Sequence, residues 1–283
     1  MKILVFCPTY KLHNGALAIH PETQRSIDAL DHGEHKVIIV VRPDPHENKT
    51  GNVLKQYQWA RAHVLENGFD ALMTIEHDMI VPHDALTKLA DTPAPVVYGL
   101  YMFRHASPTL NAFRAVQAPA MDQTLTMFPD ELKRARAAIA WPVSGLGFGC
   151  TLIHREVLER VEMRPPNGGY YPDGGLANDC QRLGIKQMAR FDVECGHICD
   201  DGHVLWPDLD GEMVNPTKVK ILVTFNGDIA GRSVHFRAGE ETDIPLERAQ
   251  EYARAGYCAL IDPRPAIKIA GRADRITKVK PVK

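Results

Sequence analysis

The sequence predicts an α/β protein: a Rossmann-like sheet with a parallel core and helices on both faces, followed by a small α+β module. Three observations carry that expectation. Short apolar runs alternate with helix-patterned segments through the first hundred residues, the order that right-handed crossovers between parallel strands require. The apolar runs stop at polar residues, as strands do when their carboxyl ends open onto a ligand crevice. After Trp206, Pro207 and Pro216 the composition changes, which places a domain boundary near Asn215 and divides the chain into 1–215 and 218–283.

The elements follow in order. Ile3 to Phe6 reads as a buried strand that ends at Cys7-Pro8-Thr9-Tyr10, and a helix is expected from about Glu22 to Leu30. Lys36 to Val41 is a second strand, rich in Val and Ile, and the prolines of Arg42-Pro43-Asp44-Pro45 are expected to end it. Val53, Tyr57, Ala60 and Val64 share one side of a helix that stops at Asn67-Gly68. The run Ala71-Leu72-Met73-Thr74-Ile75 is a third strand, and it leads into Glu76-His77-Asp78. On an extended backbone Glu76 and Asp78 point to the same side. Two carboxylates there suit a hard divalent cation that takes its remaining ligands from phosphate and water. A solvated turn is the rival reading.

A short helix and a strand from Val96 to Leu100 come next, then an aperiodic segment from Arg104 to Met127 that reads as a lid, an acceptor loop or a variable excursion. In Ser144-Gly145-Leu146-Gly147-Phe148-Gly149-Cys150 three glycines alternate with larger residues and run into a strand. Such alternation lets a backbone pass close to a flat ligand or a neighbouring strand. A short helix is expected at Asp179-Cys180-Gln181-Arg182-Leu183-Gly184, then a strand reaching Cys195-Gly196-His197-Ile198-Cys199. The C-terminal module reads as strand Val219–Phe225, a hairpin turn at Asn226-Gly227-Asp228, strand Val234–Arg237, and a helix from Leu246 to Ala255.

The 283 residues have a hydrophobic fraction of 45%, with 33 Lys and Arg against 35 Asp and Glu. A net charge of −2 gives no nucleic-acid or anionic-membrane footprint. No apolar run reaches bilayer-spanning length, and six scattered cysteines do not form a disulfide scaffold. The expectation is a cytoplasmic protein with free thiols.

Taken together, the pieces resemble the GT-A glycosyltransferases, in particular the family-2-like enzymes of phage and bacterial genomes. Cys7-Pro8-Thr9-Tyr10 is similar to that family's first nucleotide-contacting loop. Glu76-His77-Asp78 stands where the family has its Asp-x-Asp metal motif, with Glu in the first place. Ser144 to Ile153 resembles the Gly-rich acceptor-side strand, with Gly145, Gly147, Phe148 and Gly149 the positions concerned. Cys195-Gly196-His197-Ile198 is similar to the late histidine that completes the metal site.

The resemblance implies a GT-A fold and a transfer, in the inverting manner, from a UDP- or GDP-linked sugar to a hydroxyl on a glycan, lipid, protein or modified base. It implies Pro8, Thr9, Tyr10, Glu76 and His77 at the nucleotide, and Mn²⁺ or Mg²⁺ on Asp78, His197 and Glu76; Arg25, one turn into the first helix, could reach a phosphate, with a surface helix arginine the favoured rival reading. It also implies a carboxylate base before a Cys-x-Arg helix, where Asp179 and Asp173 both qualify, with Asp179 slightly preferred. Residues 218–283 are expected to serve assembly, as in a homo-oligomer, or acceptor docking.

Two other readings compete. A nucleotidyltransferase shares the sheet, the nucleotide and the cation, but is expected to have a Gly-rich basic loop after the first strand; this loop offers one glycine and Lys11. A non-catalytic nucleotide- or glycan-binding protein with a structural zinc on Cys195, His197, Cys199 and His203 is the other, although one-residue gaps are tighter than usual for zinc.

Overall fold

The structure is a computed structural model and describes residues 1–10, 16–44, 51–104, 110–113, 129–145, 147–165, 172–207, 216–229, 232–245, 249 and 252–260. The chain divides into two compact units. One holds Met1–Met102 and Leu110–Pro207, the other Asp208–Ile276 and Phe103–Thr109.

The first unit is a mixed α/β structure. Its elements are β1 (Lys2–Tyr10), α1 (Pro21–Asp28), β2 (Lys36–Asp44), α2 (Gly51–Glu66), β3 (Ala71–Ile75), β4 (Met79–Ile80), α3 (Ala85–Ala90) and β5 (Val96–Leu100). They continue with α4 (Pro129–Ala138), β6 (Ala140–Pro142), β7 (Cys150–His154), α5 (Arg155–Arg160), α6 (Pro172–Arg182), β8 (Gln187–Glu194), β9 (Gly196–Ile198) and β10 (Val204–Leu205). The main sheet has the order β2-β1-β3-β7-β5-β8-β6, and a small one the order β10-β9-β4.

Strands β2, β1 and β3 are parallel, as are β5 and β8. These are the expected parallel strands of the core; between the two groups β7 runs antiparallel to both β3 and β5. The core residues are those the apolar runs supply. β3 and β5 are buried along their whole length. Helix α2 buries Tyr57, Ala60 and Val64, the side predicted from spacing. Gly68 takes φ 64° after α2 and Gly184 φ 67° after α6, the left-handed stops that glycine tolerates.

Two boundaries differ from expectation. β1 runs on through Cys7-Pro8-Thr9-Tyr10, and β2 through Arg42-Pro43-Asp44, in continuous parallel register. β2 is the edge of the sheet, where a proline's missing N–H leaves no ladder bond unmade. The predicted interruption therefore does not occur.

The second unit contains β11 (Pro216–Ile221), β12 (Phe225–Ile229), β13 (Arg232–Phe236), β14 (Glu241–Pro245) and β15 (Cys258–Leu260). A three-stranded sheet has the order β14-β11-β15, and β12 pairs with β13. Val219, Ile221, Phe236, Ala249, Tyr252 and Cys258 form its own core. Asn226-Gly227 is not the hairpin turn. Both residues lie within β12, opposite His235 and Val234, and the connection falls at 230–231, outside the described residues. The directly opposed pair Phe225 and Phe236, stacked 4.9 Å apart, sets that register. Of the predicted C-terminal helix, residues 249 and 252–254 are described and helical. Among the described residues, no helix is long and apolar enough to cross a membrane.

Candidate active site at the carboxyl ends of the strands

The carboxyl ends of β1, β3, β5 and β8 lie at one end of the main sheet, and Tyr10, Glu76, His77 and Asp78 stand at or just beyond two of them. Beyond β3 the backbone turns at once: Met79 N–H donates to the Glu76 carbonyl at 3.1 Å, while Glu76 N–H donates to Gly149 O at 3.2 Å. That turn breaks the extended alternation that was expected to aim Glu76 and Asp78 the same way. It also ties the site together, because His20 N–H donates to His77 O at 2.9 Å and the Tyr10 ring stands edge-on to His77 at 5.6 Å. Pro8 and Thr9 are buried and Tyr10 is exposed. Gln56 Nε2 holds the Thr9 carbonyl at 3.1 Å.

The small sheet supplies the next contact. β4 pairs with β9 so that Met79 lies opposite His197, and Ile198 N–H donates to Asp78 O at 2.9 Å. Asp78 and His197 are thereby both buried, with His197 Nε2 3.7 Å from Asp78 Oδ2. The Met102 carbonyl lies 2.7 Å from His197 Nδ1 and can only accept, so Nδ1 carries the proton. Nε2, on the other side of the ring, faces Asp78, and that buried nitrogen has no hydrogen-bond partner.

A backbone carbonyl engaging the ring nitrogen away from the metal is the arrangement metal-binding histidines use. An unpartnered buried nitrogen beside a carboxylate fits a cation's ligand set. Among the described residues no three His, Cys, Asp or Glu side chains converge on a point. The three-ligand set that included Glu76 is therefore not formed. Among the described residues, Asp78 and His197 are the pair that could hold a cation here, with phosphate and water as its other ligands.

The glycine-rich segment packs on Tyr101, just past β5. A Cβ on Gly147 would overlap the Tyr101 hydroxyl and lie 3.2 Å from Asp173 Oδ2, and one on Gly149 would lie 2.7 Å from the Tyr101 ring. The flat group that these glycines accommodate in this structure is thus a tyrosine of the same chain. Gly145 takes φ 150° against Ala177. Phe148, between the other two, is buried with its ring 4.8 Å from that of Tyr57. Tyr101 is clamped by Asn111, which accepts from Tyr101 N–H at 3.0 Å and donates its own N–H to Tyr101 O at 3.0 Å.

The two candidate bases part company here. Asp173 lies in the first turn of α6, half-buried, with Oδ1 accepting from Gly174 N–H at 2.7 Å. Burial pushes its carboxyl above the usual range, and the Gly174 N–H opposes that shift. Asp179, one helix face away, is buried and held by Arg164 at 2.6 Å and Arg182 at 3.2 Å. Cys180 beside it has its thiol pushed up to about 12 by burial, so it is no nucleophile.

Other predicted residues are placed elsewhere. The Arg25 guanidinium is largely exposed and paired with Glu22 one turn back. The zinc set does not assemble: Cys195 and Cys150 both flank Gly99, and His203 is paired with Asp201. One-residue gaps on an extended strand keep the side chains apart. Lys11 and the greater part of the 104–127 segment lie outside the described residues. The sequence reading gave no site role to Tyr57, Tyr101 or His20. Tyr101 follows β5 as Glu76 follows β3, so the rule of strand carboxyl ends could have found it.

No family model and no curated protein matches the chain. Among solved structures, A197 from STIV is similar at 20% identity, covering 74% of this chain and 91% of that one, with a TM-score of 0.49. A glycosyltransferase involved in glycosylation of the major capsid of PBCV-1 is similar at 9% identity, over 56% and 63% of the two chains, with a TM-score of 0.30. A protein assigned as a glucose-1-phosphate thymidylyltransferase, from Bacillus anthracis, is similar at 12% identity over 70% and 89%, with a TM-score of 0.40. With these three scores below 0.5, the functional reading rests on the site's own geometry.

Proposed function

We propose that the chain is a GT-A-type glycosyltransferase that moves a sugar from a nucleoside diphosphate, UDP or GDP, to a hydroxyl acceptor with inversion. The observation that carries this reading is the Asp78–His197 pair, with its unpartnered Nε2, at the same end of the sheet as the half-buried carboxylate of Asp173. A divalent cation on that pair would supply Lewis-acid neutralisation of charge on the departing diphosphate. Asp173 receives the acceptor's hydroxyl proton as the oxygen attacks the anomeric carbon and the bond to the diphosphate breaks. We assign this role to Asp173 rather than Asp179, because Asp179 is already engaged by two guanidinium groups. A carboxylate raised by burial is also a stronger base than a solvated one.

Pro8, Thr9 and Tyr10 at the end of β1, with His77 across from Tyr10, are suited to the nucleotide. The second unit is proposed to serve acceptor docking or self-assembly, with the transfer machinery lying within residues 1–215.

Calorimetry with UDP and GDP, with and without Mn²⁺, tests the reading. Binding that needs the metal and is lost in Asp78→Ala supports it; parental affinity in Asp78→Ala overturns it. Product analysis separates the alternative chemistry, since a nucleotidyltransferase releases pyrophosphate and a glycosyltransferase releases the nucleoside diphosphate.

A further inference from the structure

Strand β2 forms one end of the main sheet, and among the described residues no strand pairs with its outer side. The opposite end, β6, is three residues long and closes on Pro142, the short kind of edge that resists further pairing. β2 is nine residues long and keeps unbroken register with β1, with no bulge to turn the edge away. Its middle, Val37-Ile38-Ile39-Val40-Val41, holds no charge and no proline. None of the five is buried, and Ile38 is 38% exposed. Lys36 N–H donates to Met1 O at 2.9 Å, on the β1 side. Backbone groups alternate in direction along a strand, so Val37, Ile39 and Val41 turn their N–H and C=O groups outward. Pro43 falls on that outward side too and offers its carbonyl alone.

We infer that a second copy of this chain is the partner of this edge, added by antiparallel pairing of β2 with β2 about a twofold axis at Val40. The strand is complementary to itself in that register. Outward residues then face one another, Ile39 with Val41 and Val37 with Pro43. Lys36 falls opposite position 44, an aspartate, at both ends of the pairing. Arg42, which lies over the Trp59 ring at 4.3 Å, stands opposite Ile38. An axis moved by one residue, to Ile39, would set Lys36 against Arg42, like charge against like. A twofold contact of this kind closes at two copies. Because the strands run antiparallel across the axis, the two candidate sites point in opposite directions and each copy keeps its own. The pairing stands whether or not the transferase reading does.

Sedimentation velocity on the full chain over a dilution series tests the inference. The parent is expected to form a concentration-dependent dimer. Ile38→Lys places a lysine opposite Arg42 of the second copy, and Ile38→Glu places a carboxylate there. The two changes remove the same apolar side chain, and each pair occurs twice in the dimer. Ile38→Glu is therefore expected to dimerise about tenfold more tightly than Ile38→Lys, with melting curves showing both folded.

A charge reversal gives a second, independent readout. Lys36→Glu alone and Asp44→Lys alone are each expected to weaken the dimer, and the double variant is expected to restore it. If either Ile38 variant fails to fold, the charge reversal decides. A parent that stays monomeric at its highest soluble concentration overturns the inference. So does equal dimerisation of the two Ile38 variants, or a double reversal without rescue. A dimer unchanged by every variant overturns it as well, and leaves the second unit as the assembling part.

Discussion

Asp173 and Tyr101 meet across a missing side chain. Gly147 lies between the carboxylate and the phenol, and any Cβ there would overlap the Tyr101 hydroxyl while lying 3.2 Å from Asp173 Oδ2. Gly147→Ala therefore forces either the Tyr101 ring or the start of α6 to move. The expected result is a destabilisation of about 1–3 kcal/mol, in the range of overpacked cores, with turnover reduced by more than that stability loss explains. Melting curves together with single-turnover rates check it.

The two aspartates of α6 should separate cleanly by substitution. Asp173→Asn should lower turnover by roughly 10²–10⁴, the usual weight of a positioned base, and leave Mn²⁺-dependent nucleotide binding in place. Asp179→Asn should do the reverse, costing about 1–3 kcal/mol through weakened charge-assisted bonds to Arg164 and Arg182 while turnover stays within a few-fold. Urea denaturation and steady-state rates on both variants decide the matter. Comparable rate losses in the two would return the base assignment to Asp179.

A pH dependence follows from Asp173, and its sign is fixed by burial. The folded state holds this proton to higher pH than the unfolded chain does. Stability from this group is thus complete below the ordinary carboxylate value of about 3.9 and declines as pH rises through the raised value. Activity runs the other way, because the base works only when ionised. The acid limb of kcat/KM should lie above the ordinary carboxylate value, and Asp173→Asn should be at least as stable as the parent at pH 7. A limb at or below that value contradicts the assignment.

Metal removal should act through two side chains. Chelation with EDTA is expected to abolish nucleotide binding, with Mn²⁺ restoring it. His197→Ala should weaken that restoration by about 10–100-fold, a loss on the scale reported for disturbed metal shells. His197→Gln, which keeps a donor near Met102 O, should retain the fold without restoring affinity. Titration calorimetry with Mn²⁺ and UDP or GDP provides the readout.

The second unit carries its own core, so it should fail by itself. Phe236→Ala removes a ring packed against Phe225 and Tyr252 and should cost that unit about 3–5 kcal/mol. Diphosphate binding is expected to persist, while acceptor transfer or oligomer size changes. Loss of nucleotide binding in a soluble Phe236→Ala protein would place part of the donor site beyond residue 215.

What could be read from sequence follows a physical line. β3 and β5 were legible to the residue because both are buried on every side and so are written as unbroken apolar runs. Asp78 and His197 were legible as residue types at strand ends, whereas the Met79–His197 pairing that joins them is non-local and leaves no periodic trace.

The start of α6 was hidden by Gly174 and Gly175, which count against a helix by about 1 kcal/mol each. Gly175 is there for tertiary reasons: a Cβ would overlap the Arg164 carbonyl. Missing the first turn of α6 is what made Asp179 look like the better base. Tyr57 read correctly as a core position, and its ring is one. Only its hydroxyl, unmatched by any neighbour, departs from that role.

The antiparallel insertion of β7 also sets the order in which the molecule can be completed. Thr74 and Thr151 are partners in adjacent strands although 77 positions separate them. During synthesis β1, β2 and β3 are available to pair early, but the free edge of β3 stays uncovered until β7 has emerged. Loop closure over such a span is slow compared with local pairing. Glu76 receives its backbone partner Gly149 in that same late step. A nascent chain halted before His154 would thus carry β3 as an open strand edge, a surface prone to pairing with other chains, and no formed site. Acquisition of donor binding would then mark the closing of the sheet's centre rather than its beginning.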